Sequence, residues 1–248
     1  MSVLNAAQLT GRDRGHVLEL ADLQCTLQPD AARAFRALRT AAAGAGLDIA
    51  AASGFRDFER QRAIWNDKYR GRRPLLDRTG RPLDPAIMSA GDIVRTILHW
   101  SALPGASRHH WGTEVDVFDR VALTGGYRPQ LVPAEFAPDG PFAPLERWLA
   151  AHAEDYGFFR PYDRDRGGVQ PEPWHLSFAP VAGPALPALT VEVLAAALHG
   201  VELEGAEAVW PLLGEIHARY VCAVALPSAQ ASAAPALRVA LNPGARLS

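Results

Sequence analysis

An α+β fold is what this 248-residue sequence predicts, on three observations. Stretches with helical spacing of apolar residues and stretches of strict alternation both occur. The alternating stretches are short, and no regular strand–helix–strand rhythm connects them. The length suits one large domain, or a medium domain with an appendage. Hydrophobic residues at 48% and charged residues at 21% are the proportions of a soluble globular chain.

The elements follow in order. PDAARAFRALRTAAA (29–43) reads as a helix that Asp30 can cap, with Ala34, Phe35 and Leu38 on one face and Gly44 and Gly46 ending it. LDIAAAS (47–53) is a short strand leading to Ser53-Gly54. Asp57 is an N-cap for the helix FERQRAIWNDKYR (58–70), and Phe58, Arg62 and Trp65 recur at helical spacing. Residues 71–86 hold three prolines and two glycines and read as loop. GDIVRTILHWSAL (91–103) is a helix capped in the Ser89 to Asp92 region. EVDVFD (114–119) alternates strictly, so Val115 and Val117 face one way while Glu114, Asp116 and Phe118 face the other.

Residues 121–143, rich in Gly and Pro, form a second long connection before the helix APLERWLAAHAEDYG (143–157). FFRPY (158–162) and WHLSF (174–178) are candidate strands on either side of the loop DRDRGGVQPEP. From about residue 183 the texture changes. Two helical patterns, TVEVLAAALHG and AEAVWPLLGEIHARY, precede a tail rich in Ala, Pro and Ser. The division predicted is therefore a main domain over 1–182 and a C-terminal helical appendage over 183–248.

Charge and composition exclude several classes. A net charge of −2 without runs of like charge leaves no footprint for nucleic acid. No apolar run approaches transmembrane length, and nothing sets an oligomeric state. The N-terminus lacks a basic region followed by an apolar run and a cleavage site, so the expectation is a cytoplasmic protein, or a periplasmic one if a leader has been removed. Cys25 and Cys222 match no metal or redox spacing and read as two buried free thiols.

The chemistry concentrates in SRHHWGTEVDVFD (107–119) and QPEPWHLSF (170–178). Catalytic zinc takes three protein ligands from imidazole nitrogen and carboxylate oxygen, and leaves one position open. A turn through His110, Trp111 and Gly112 can bring His109 and Asp116 toward one ion. Asp116 faces a site while Val115 and Val117 face the core. His175, between Trp174 and Leu176, is the third candidate. Glu172 precedes it on a segment made irregular by Pro171 and Pro173, within reach of a water at the open position, where a general base must sit. Alone, each of these residues has a bland reading as a surface or hydrogen-bonded core group. His110 keeps that reading as a loop or supporting contact, and His16, His99, His152, His199 and His217 read as structural. Glu114 either hydrogen-bonds near the site or is a solvated strand acid.

Ser107-x-His109-x-x-Gly112-x-x-x-Asp116 followed by Glu172-x-Trp174-His175 resembles the zinc D-alanyl-D-alanine carboxypeptidases and dipeptidases, the family of the vancomycin-resistance carboxypeptidases and some phage endolysins. The family pattern is S-x-H-x-x-G-x-A-x-D and then E-x-W-H. Ser53-Gly54-Phe55-Arg56, with Gln61 in the next helix, is similar to the family's S-G-[YF]-R segment, and YGFFRPY fits ahead of the last motif. The likeness spans about residues 45–180. It implies Zn²⁺ held by His109, Asp116 and His175, Glu172 as catalytic base, and Arg56 facing the scissile amide or the substrate carboxylate. Ser53, Gln61, Ser107 and Trp174 fall at substrate-side positions of the matched motifs, although Ser53 and Ser107 also suit loop shaping or support. The implied fold is a central antiparallel sheet with flanking helices, as in the hedgehog signalling domain. Glu114 stands where the pattern has Ala, an acid added beside the site.

The function expected is a zinc metallopeptidase cutting near a C-terminal D-Ala in peptidoglycan peptides or their precursors. The alternatives are an L,D-carboxypeptidase, a muropeptide endopeptidase or a non-catalytic zinc module.

Overall fold

The computed structural model describes residues 3–233; the end of the Ala/Pro/Ser-rich tail lies outside the described residues. A short helix α1 (Ala6–Leu9) and a hairpin of β1 (Leu18–Leu20) and β2 (Cys25–Leu27) precede α2 (Pro29–Gly44). Pro29 fills the first position of α2, so the cap falls two residues earlier than expected. The Gln28 side chain, not Asp30, accepts from the backbone NH groups of Asp30 and Ala31, at 2.6 and 2.9 Å. Ala31, Phe35, Leu38 and Ala42 form the buried face of α2.

The central sheet is antiparallel, with strand order β3 (Ile49–Ser53), β6 (Glu114–Asp119), β8 (His175–Phe178) and β7 (Phe158–Phe159). Val115, Val117 and Leu176 turn one face of it into the core. A bulge after Ala51 shifts the β3 register so that Ser53 lies opposite Asp116, while Asp116 lies opposite His175 on the other side. The edge strand β7 is shorter than FFRPY suggested. Pro161 removes a donor and Arg160 turns out to pair with Glu146 at 2.6 Å. Trp174 precedes β8, although its carbonyl still accepts from Val117 NH at 3.0 Å.

Asp57 caps α3 (Phe58–Tyr69) through the Arg60 NH, as the sequence indicated. The 71–86 loop contains a small hairpin of β4 (Leu75–Leu76) and β5 (Pro82–Leu83). Ser89 caps α4 (Ala90–Leu98), which stops short of residue 103 as the chain nears Pro104 and the Trp100 indole turns aside to donate to the Asp77 carbonyl at 2.8 Å. The 121–143 connection has no strand, only single 3₁₀ turns, and leads to α5 (Ala143–His152), which is extended by a 3₁₀ turn to Gly157.

After β8 come α6 (Ala179–Ala188), α7 (Val191–Leu198), α8 (Ala206–Ile216) and α9 (Ala229–Ser232). Their Ala182, Leu194, Val209 and Leu213 join the same hydrophobic cluster as Phe35, Trp65 and Val117. The Trp65 indole donates to the Glu204 carbonyl at 3.0 Å, and Ala225 NH donates to Pro161 O at 2.8 Å, so this segment braces both α3 and the approach to β8. Of the two free thiols, Cys25 is half-buried and Cys222 is exposed, which corrects the expectation that both are buried. Among the described residues no single helix is long and apolar enough to cross a membrane.

Candidate metal centre and active site

His109, Asp116 and His175 converge, each offering one donor atom within 4.8 Å of the others, and all three are buried. Asp116 and His175 face each other across the β6–β8 ladder. His109 arrives on a 3₁₀ turn (Arg108–Trp111) that ends at Gly112, whose φ of +67° suits glycine. Any side chain there would also collide with Val17, since a Cβ would come to 2.3 Å of it.

The donor set fits a zinc ion. Ligands 2.0–2.1 Å from a tetrahedral zinc lie about 3.3 Å from one another. Here His109 Nε2 is 3.4 Å from Asp116 Oδ2, and His175 Nδ1 is 3.1 Å from Asp116 Oδ1. Asp116 Oδ1 is buried and, apart from the nearby His175 Nδ1, meets no hydrogen-bond partner. The outer nitrogen of each histidine is engaged. His109 Nδ1 is 2.7 Å from the Gly54 carbonyl, and His175 Nε2 is 2.7 Å from Glu114 Oε2. A carbonyl only accepts, so His109 Nδ1 donates to it and the Nε2 edge is turned toward Asp116.

Burial opposes ionisation of Asp116, but the two histidines outweigh it and hold its carboxyl well below the usual range. Burial likewise opposes charge on His175; Asp116, Glu114 and Glu172 together overcome it and raise its pKa well above the ordinary value. Glu172 Oε2 stands 3.3 Å from His175 Nδ1, on the cavity side of the triad. Its backbone NH donates to Tyr162 O at 3.0 Å, which fixes the irregular entry to β8.

These groups open into a cavity of about 640 Å³. Arg56, Ser107, Glu172 and Trp174 line it; Ser53 and Gln61 do not. Ser53 Oγ instead donates to Asp116 Oδ2 at 2.5 Å. Gln61 is fully buried and accepts from Arg56 Nη1 at 2.8 Å, while its amide donates to Ala102 O at 2.6 Å. Both therefore hydrogen-bond site residues from outside the cavity lining. Arg56 is not tied up by its acidic neighbours: Asp57 caps α3, and Glu59 pairs with Arg12 and Arg62. Burial lowers the Arg56 pKa against the pull of Asp116 and Glu172. Behind it, His110 Nδ1 lies 2.6 Å from Arg56 O, and Gly105 NH donates to Nε2 at 3.1 Å. Burial pushes the His110 pKa down to about 3, so it is a neutral strut, in line with its supporting role.

Sequence reasoning missed several neighbours. Tyr162 lines the cavity with its ring edge-on to His175 at 4.9 Å, and burial pushes its hydroxyl up to about 12. Arg108 lies over the Trp111 ring at 4.6 Å, and its Nη2 donates to Ser177 Oγ at 2.7 Å. The two connections read as plain loop supply walls. One is Arg78, Thr79 and Gly80 at the tip of the β4–β5 hairpin; the other is residues 130–134. Leu131 holds φ +53°, kept there as buried Glu135 accepts from the NH groups of Gln130 and Val132, at 2.8 and 3.1 Å. Composition marked these segments as irregular, but no local signal said where they fold. Among the described residues, none after 182 lines the cavity.

Of the two readings of Glu114, the structure favours the one that hydrogen-bonds beside the site. Glu114 is completely buried, which rules out the solvated strand acid, and it sits behind His175 rather than in the cavity. Burial alone would raise its pKa, but Arg108 and the hydrogen bonds from His175 and Ser177 lower it to about 2.

Residues 24–181 match the family model "VanY: D-alanyl-D-alanine carboxypeptidase". Two uncharacterized proteins of Haemophilus influenzae are similar. One is 36% identical over 121 residues, covering 48% of this chain and 92% of its own. The other is 41% identical over 103 residues, covering 40% of this chain and 70% of its own. Among solved structures, VanYB in complex with D-Alanine-D-Alanine is 20% identical with a TM-score of 0.50, over 75% of this chain and 86% of that one. The LdcB LD-carboxypeptidase is 20% identical with a TM-score of 0.50, over 73% and 75%. Both share the fold of the central sheet and its flanking helices.

Proposed function

This chain belongs to the VanY D-alanyl-D-alanine carboxypeptidase family, and from that premise we propose that it hydrolyses the peptide bond ahead of a C-terminal D-Ala in peptidoglycan peptides or their precursors. The observation that carries the reading is Glu172: a carboxylate 3.3 Å from His175 Nδ1, facing the cavity yet outside the three-ligand set. A purely structural metal site has no use for such a base.

His109 Nε2, Asp116 and His175 Nδ1 would hold Zn²⁺, which supplies Lewis acidity at the scissile carbonyl and makes a water acidic near neutral pH. Glu172 takes the proton from the attacking water and returns it to the leaving D-Ala amine. Arg56, fixed by Gln61 and by the His110 strut under its carbonyl, presents a guanidinium to the developing oxyanion or to the substrate's free carboxylate. Ser107 and Trp174 line the cavity at positions suited to contact the peptide.

A panel of tri-, tetra- and pentapeptide muropeptides, incubated with zinc-loaded protein and read by mass spectrometry, tests this. Loss of one D-Ala from the pentapeptide alone is the expected result. Loss from the tetrapeptide would make the enzyme L,D-specific instead. Glu172→Gln is expected to lower kcat about 100- to 10,000-fold with zinc still bound. Turnover at the parent rate in that variant would sink the mechanism.

A further inference from the structure

Behind the metal triad lies a polar cluster buried in the sheet, of which only Arg108 also borders the cavity. On β6, Glu114 shares a face with Asp116. Its register partner on β8 is Ser177, two residues beyond His175, so the glutamate reaches His175 on the diagonal. Its Oε2 is 2.7 Å from His175 Nε2. Its Oε1 accepts from Ser177 Oγ at 2.8 Å and Thr113 Oγ1 at 3.0 Å, with Arg108 Nη2 at 3.4 Å. Glu114, Ser177 and Thr113 are wholly inaccessible to solvent, and Arg108 is 3% exposed.

Stability alone does not account for this cluster. Withdrawing a carboxylate and a guanidinium from water costs several kcal/mol for each, and apolar residues of the same volume serve folding as well or better. Two Arg108 nitrogens, Nε and Nη1, are buried without partners, which adds to the cost. What the cluster does achieve is local. An unsupported imidazole can turn its ring; one whose Nε2 is held 2.7 Å from an anchored carboxylate keeps its ring plane, with Nδ1 turned toward Asp116 Oδ1 at 3.1 Å and Glu172 Oε2 at 3.3 Å.

We propose that Glu114, held by Arg108, Ser177 and Thr113, is a positioning residue that fixes the His175 ring with Nε2–H toward itself and aims Nδ1 at the metal position, raising the affinity of the site. The inference rests on the metal-site reading of His109, Asp116 and His175, and it concerns a residue at which this chain departs from the Ala of the pattern it otherwise follows.

Zinc affinity by chelator competition is the test, on the parent, Glu114→Ala, Glu114→Gln and His175→Ala, together with ¹⁵N shifts of the His175 ring in the zinc-loaded protein. Glu114→Ala is expected to bind zinc about 10- to 100-fold more weakly. Glu114→Gln, whose amide oxygen still accepts from Nε2–H, is expected to recover part of that loss. The parent is expected to show a protonated Nε2 and a metal-ligated Nδ1. Parent-like affinity in Glu114→Ala, or a His175 proton found on Nδ1, overturns the proposal. If Glu114→Ala fails to fold, the glutamine variant and the ring shifts decide. Failure of the underlying reading is distinguishable: there, the parent binds zinc no better than His175→Ala.

Discussion

The two histidines of the candidate metal site reach the same point from differently built surroundings. His109 sits on a 3₁₀ turn and is steadied by a backbone carbonyl, that of Gly54 at 2.7 Å. His175 begins a strand and is steadied by a buried carboxylate, with Asp116 and Glu172 also within 3.1 and 3.3 Å. The first is a neutral clamp whose accuracy depends on how β3 lies against its neighbours. The second is an ionic clamp that depends on a side chain, and it collects three acids around one imidazole. Metal-ligand geometry can thus be secured by the fold's backbone or by a dedicated residue, and the two devices should fail in different ways.

The largest effects come from removing each ligand. His109→Ala and His175→Ala are both expected to lose zinc and turnover. They should part in folding stability when metal is absent. Without His175, Glu114 loses the partner of its Oε2 and Asp116 and Glu172 lose the imidazole between them, and breaking a buried pair of this kind costs about 3–5 kcal/mol. Without His109, Asp116 still has His175 beside it, and the new defects are one lost imidazole contact and an unsatisfied Gly54 carbonyl, the latter costing about 1–3 kcal/mol. Urea denaturation of the chelator-treated variants measures the difference, and equal losses would break the comparison.

An intermediate effect tests the backbone clamp through a residue with no chemistry. A Cβ on Gly54 would stand 2.6 Å from the Thr26 carbonyl, the same oxygen that accepts from Phe55 NH at 2.8 Å. Gly54→Ala must therefore push β2 away or shift the 53–55 backbone, and either movement takes the Gly54 carbonyl off His109. The expected outcome is zinc binding weakened roughly 10-fold alongside a stability loss of about 1–3 kcal/mol. Lost stability with unchanged affinity would show that His109 needs no such anchor.

This contrast also explains what could be read before the fold was known. The ligands, the base and Arg56 stood out because their residue types recur at motif spacing, and strict alternation in EVDVFD placed Asp116 on the correct face. The Gly54 clamp left no such trace, since a carbonyl belongs to every residue and its partner lies 55 positions away. The Glu114 clamp was half visible: the acid was evident, but its partners Arg108, Ser177 and His175 are assembled by strand register, and its burial by the core beneath. Gln28 capped α2 because Pro29 displaced the cap, a local effect that a Ser/Thr/Asp/Asn rule passes over. The cavity walls at 78–80 and 130–134 depend on a two-residue ladder and on Glu135, neither of which has a periodicity to detect.

The smallest effect concerns the third ligand, which both regions share. Asp116 is anchored by neither clamp; its Oδ2 accepts from Ser53 Oγ at 2.5 Å, and the bulge in β3 is what brings Ser53 opposite it. Ser53→Ala removes that donor without adding bulk or leaving a buried charge, because Asp116 keeps both histidines beside it. A single net hydrogen bond is worth about 1 kcal/mol, or about 5-fold in affinity. Zinc binding by chelator competition should fall by that amount while urea stability barely moves. A loss as large as that of Gly54→Ala would place Ser53 on a par with the two clamps; a loss this small means that Asp116 takes its position from the strand itself, and that only the mobile imidazoles need holding from behind.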